Sequence, residues 1–133
     1  TVRGGQILCG LERSAPAILA SDSDGIEIAG VKILDSQSPV RMSRCRDFSL
    51  GVAINLPDGG ASGPAVALSD CADGIVTARV KGPAGAFTAG VSVTGPGTRS
   101  LAIDTSAIGA DAVGGEQRRV IWSRVASGAV RLR

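Results

Sequence analysis

Two stretches of the chain share one grammar. Arg13 to Val31 reads RSAPAILASDSDGIEIAGV, and Ala61 to Val80 reads ASGPAVALSDCADGIVTARV. Ser14-x-Pro16-Ala17-Ile18 aligns with Ser62-x-Pro64-Ala65-Val66, and Ser21-Asp22 with Ser69-Asp70. Asp24-Gly25-Ile26 then aligns with Asp73-Gly74-Ile75, once an extra residue is allowed in the second copy. Each copy is an apolar run, an Asp-Gly pair and a second apolar run. Asp and Gly accept positive φ in a tight turn, so this order predicts a β-hairpin. A fainter third match closes the chain, from Val120 through Gly128 to Leu132. The 133 residues therefore form one domain with internal units at about 13–60 and 61–115 and a partial third at 116–133. Residues 1–12 precede them as a Gly-broken arm or edge strand.

Short apolar runs recur between turn residues. They predict strands near Ala17–Ala20, Ile26–Leu34, Val40–Ser43, Phe48–Asn55, Ala65–Ser69, Ile75–Val80, Phe87–Thr94, Ser100–Asp104, Arg119–Val125 and Ala129–Leu132. In the second copy Val76, Ala78 and Val80 face one way, and Thr77, Arg79 and Lys81 the other. In the first, Ala29, Val31 and Ile33 take one face and Ile26 and Ile28 the opposite one, which predicts a strand covered on both sides. Only 106–113 could be helical, and Gly109 and Asp111 weaken it. A hairpin unit cannot bury its own apolar face, so the units must pack together. The expected fold is all-β, a sandwich or barrel of short antiparallel strands with an internal pseudo-repeat. The alternative is a β-trefoil.

The chemistry is narrow. With no His in the chain, Ser-His-Asp and Cys-His catalysis and the usual neutral-pH proton shuttle are unavailable. Cys45 lies between Arg44 and Arg46, but flanking residues on a strand point away from it, which predicts a buried thiol between exposed cations. Ser21-Asp22-Ser23-Asp24-Gly25 is too short for a calcium loop and reads as an Asp-rich turn. Asp58-Gly59-Gly60 has no Lys nearby to make a phosphate loop. Phe48, Phe87 and Trp122 are the only aromatics, too few for a sugar-stacking cleft or a base-stacking platform. No catalytic, cofactor or metal residues are therefore assigned. A net charge of +2 gives no general field for nucleic acid or an acidic membrane, and no small-molecule ligand is expected. Three widely spaced cysteines suit free thiols in a reducing compartment.

What remains is surface. Arg41, Arg44 and Arg46 form the densest basic run, and Arg118, Arg119, Trp122 and Arg124 a second. Arg and Trp are frequent interface anchors, so these seven are the interface candidates. In its short strands, Gly-Pro turns and aliphatic core the chain resembles the small β-rich virion proteins of tailed bacteriophages, such as head decoration or tail components. That resemblance implies a non-enzymatic structural role and oligomerisation with other protein subunits. It also implies a place in the virion, after assembly in a reducing cytoplasm. The alternative expectation is a carbohydrate-binding or adhesion module, secreted or at a cell surface.

Overall fold

In a computed structural model the chain is described at residues 2–8, 16–55, 64–81, 91–104, 120–125 and 128–132. Twelve strands occur there: β1 (Val2–Arg3), β2 (Gln6–Leu8), β3 (Pro16–Ser21), β4 (Glu27–Leu34), β5 (Ser38–Ser43), β6 (Arg46–Asn55), β7 (Val66–Ser69), β8 (Ala72–Lys81), β9 (Val91–Thr94), β10 (Arg99–Asp104), β11 (Val120–Ser123) and β12 (Val130–Leu132). Every pairing between them is parallel.

One sheet runs β1-β4-β6-β8-β10-β12, with β2 also on β4, and the other runs β11-β9-β7-β5-β3. From β2 onward, strands consecutive in the chain thus lie in different sheets. Each coil places one strand in each, β3 then β4, β5 then β6, and onward to β11 and β12. The fold is a parallel β-solenoid. An antiparallel sandwich or barrel, and equally a trefoil, is overturned, although all-β character holds.

The hairpin expectation fails at the Asp-Gly pairs. A two-residue hairpin of this type needs positive φ at both central residues. Here Gly25 has φ 73° while Asp24 lies in a bridge to Arg46, and Asp73 has φ 55° while Gly74 continues β8. The two pairs are also not equivalent. Asp24 bridges Arg46, Arg46 pairs with Ala72, and Phe48 pairs with Gly74. Gly25 therefore corresponds to Asp73, and Gly74 to Ile26 and Phe48. The repeated grammar of 13–31 and 61–80 skips a whole coil, β5 and β6, which lies between the copies in space.

Register brings like onto like. Ile18, Val40, Val66 and Val91 form one inward column, and Met42, Leu68 and Val93 another. Facing them are Ile28, Leu50, Val76 and Ile103, then Ile33, Ile54 and Val80. Nearly all are under 5% exposed, and each fully buried aliphatic side chain contributes about 1.5–3 kcal/mol. In β4 the pairing shifts between Ile28 and Val31, at Gly30 with φ 66°. The extra residue reverses the alternation, so Ile28, Val31 and Ile33 all face the core. That corrects the expectation of a strand covered on both faces. The regular alternation of Val76, Ala78 and Val80 against Thr77, Arg79 and Lys81 is present in β8. The helical candidate at 106–113 lies outside the described residues.

Candidate functional site

Three coils turn from the β3-β5-β7 sheet into the β4-β6-β8 sheet through a four-residue corner. The corners are Asp22–Gly25, Arg44–Asp47 and Asp70–Asp73. The first and last residue of each has positive φ: 51° at Asp22, 51° at Arg44 and Asp47, 52° at Asp70 and 55° at Asp73. Asp accepts this region because its short polar side chain can bond locally, which explains why acidic residues gather here. The next corner is longer, running from Gly95, with φ 103°, to Ser100, with φ 52°. A hydroxyl precedes every corner, in the register Ser21, Ser43, Ser69, Thr94, Ser123.

The second corner residue points inward. Cys45 and Cys71 stand there, both free, both at 0% exposure. Each thiol donates to the carbonyl of the hydroxyl residue two places earlier, Ser43 or Ser69, at 3.5 Å. Burial pushes the Cys71 thiol pKa up. Cys45 is thus a buried thiol between exposed Arg44 and Arg46, as its neighbours in sequence predict.

The first and third corner residues make two parallel columns, in which Asp22, Asp24, Arg44, Arg46 and Arg99 are exposed and Ala72 is buried. In the first, Arg44 grips Asp22 with a two-pronged fork, Nε to Oδ1 at 2.5 Å and Nη2 to Oδ2 at 2.8 Å. That hydrogen bond holds the Asp22 carboxyl below its ordinary pKa and raises that of Arg44. Asp70 follows, and its Oδ1 accepts the backbone N–H of Gly97 at 2.8 Å. The second column is Asp24, Arg46, Ala72 and Arg99. Backbone bonds tie it together: Arg46 N–H to Ser23 O, Ala72 N–H to Cys45 O, and Arg99 N–H to Cys71 O. The two columns line an open groove of about 490 Å³.

Of the seven interface candidates, Arg44 and Arg46 meet in this groove. Arg41 does not. It is half-buried on β5, and its Nη1 donates to the carbonyls of Val40 at 2.7 Å and Ala65 at 3.5 Å. Burial lowers its pKa. Arg124 is exposed at φ 58°, at the corner after β11. Trp122 stands in β11 at the register position of Val93. Arg118 and Arg119 lie outside the described residues. Sequence reasoning missed that Asp22, Asp24, Asp70 and Arg99 line one groove with Arg44 and Arg46. The available signal was the hydroxyl residue before each corner, which recurs coil by coil. Among the described residues no group of three or more His, Cys, Asp or Glu could hold a metal.

Comparison with family models, with characterised proteins and with solved structures finds no match.

Proposed function

We propose that the chain is a non-enzymatic structural and interaction module of a larger assembly, with the virion of a tailed bacteriophage as its setting. The observation that supports this is the in-register parallel stack. Backbone ladders and aliphatic columns run across every coil, so the outward side chains stand in straight rows about 4.8 Å apart. Such rows suit repeated contact with neighbouring subunits. The charged corner carries both signs, which favours self-complementary or partner docking and sets register more than raw affinity.

Sedimentation velocity and native mass spectrometry test the proposal. The expected result is a defined oligomer, or co-purification with a large particle. A monomer that never associates with one overturns it. A second reading, carbohydrate binding, is favoured by the open groove, whose carboxylates and guanidinium groups can bond sugar hydroxyls. Reproducible hits on a glycan array, lost on substituting groove residues, distinguish it.

A further inference from the structure

The outer corner column carries an interruption. Arg46 and Arg99 are both register partners of Ala72, one on each side. Adjacent strands lie about 4.8 Å apart, so the two arginine Cα atoms are roughly 10 Å apart with only a methyl group between them. Both arginines are exposed, and among the described residues neither side chain has a hydrogen-bond or ion-pair partner.

The nearby carboxylates are otherwise engaged or misplaced. Asp22 is held by the fork of Arg44, and Asp70 Oδ1 accepts the Gly97 N–H. Asp24 lies one coil beyond Arg46, on the side away from Ala72. Two free guanidinium groups thus flank the buried methyl group of Ala72, 2% exposed, at the floor of the groove. A guanidinium presents parallel N–H donors that match the two oxygens of a carboxylate, sulfate or phosphate.

We propose that the notch over Ala72 binds a single oxyanion group, clamped between Arg46 and Arg99. The oxyanion is either a free inorganic anion or a carboxylate carried by an acidic protein partner. This goes beyond the assembly reading and does not depend on it, since a monomer can bind an anion and an oligomer can form without one.

The test is titration of the isotope-labelled chain at low ionic strength, with inorganic sulfate in one arm and a hexaglutamate peptide in the other. The expected result is saturable shifts at the amides of Arg46, Ala72 and Arg99, weakening as salt rises. Arg46→Gln and Arg99→Gln should each lower affinity about tenfold or more, the loss of one charge-assisted fork. Arg79→Gln, an exposed cation on β8 away from the groove, should leave it unchanged. Tighter binding of hexaglutamate identifies a partner's carboxylate, and tighter binding of sulfate a free anion. Absence of shifts with either probe overturns the proposal. So does affinity unchanged in both glutamine variants, or an equal loss in Arg79→Gln, which would mean diffuse attraction.

Discussion

A Cβ at Gly74 would overlap the ring of Phe48, its register partner in the preceding coil. Phe48 is 4% exposed, and the other partner of Gly74 in that column is Leu101, at 1%. Glycine is required here for space, since its backbone is ordinary strand. The core accommodates one aromatic ring by omitting a side chain beside it.

Gly74→Ala should therefore destabilise the fold by about 1–3 kcal/mol through overpacking. Phe48→Ala should cost about 3–5 kcal/mol through the cavity it leaves. Gly74→Ala made in a Phe48→Leu background should cost less than in the parent. A double-mutant cycle by urea denaturation reads the coupling, and additive effects would show that ring and glycine do not compete for one space.

Asp70 organises the longer corner after β9. Its Oδ1 accepts the Gly97 N–H, and a Cβ at Gly95 would collide with the same carboxylate. Asp70→Ala should cost about 1 kcal/mol, the net value of a hydrogen bond. Gly95→Ala should cost more, because it adds the strain of φ 103° to the collision. Chemical denaturation compares the two, and the reverse order would contradict the geometry.

Ser100 closes that corner at φ 52° without the local bonding habit of Asp. A non-glycine residue held there costs about 1–2 kcal/mol, while glycine loses about 0.5–1 kcal/mol more chain entropy on folding. Ser100→Gly should thus raise stability by about 0.5 kcal/mol. Ser100→Val should lower it, since a branched side chain resists this region. The midpoint of thermal unfolding, measured for both, checks the sign.

The Arg44 fork gives Asp22 a pH signature. The carboxyl pKa is lowered in the folded state, so its contribution is present above the unfolded value near 3.8. It disappears as pH falls through the lower folded value. An NMR titration should find Asp22 protonating below ordinary aspartates, and Arg44→Gln should return it to the ordinary range. A normal titration in the parent would rule out the fork in solution.

Cys71 should behave as a silent thiol. Burial raises its pKa above the ordinary 9.0, so the unfolded chain releases its proton first as pH climbs. Its contribution to stability is whole below that value and is lost as pH rises through the folded pKa. A thiol-specific reagent at pH 8 should leave Cys71 unmodified in the native protein and label it after unfolding, as peptide mapping would show. Rapid native labelling would place it at the surface.

The strands themselves were legible. The ten apolar runs from Ala17–Ala20 to Ala129–Leu132 each overlap an observed strand, from β3 to β12, although residues 87–90 and 119 lie outside the described residues. Alternation along β8 and the burial of Cys45 also follow from spacing. The groove was half legible: Arg44 and Arg46 stand together in sequence, whereas Asp22, Asp70 and Arg99 reach them only through stacking.

Alternation and breakers are local properties, decided by which face a residue takes and where the backbone can bend. The sequence alone therefore determined that this chain is a series of short, half-buried strands with an aliphatic interior. Whether a strand pairs with its neighbour in the chain or with one a coil away is decided between distant residues, and a period-two pattern reads the same in both cases. An Asp-Gly pair with positive φ at both residues would fold the chain back as a hairpin. Single positive-φ residues three places apart, as at Asp22 and Gly25, turn it onward into a second sheet. Only the tertiary structure decided between them, because packing like columns on like, Val on Val and Ser on Ser, rewards the parallel coil.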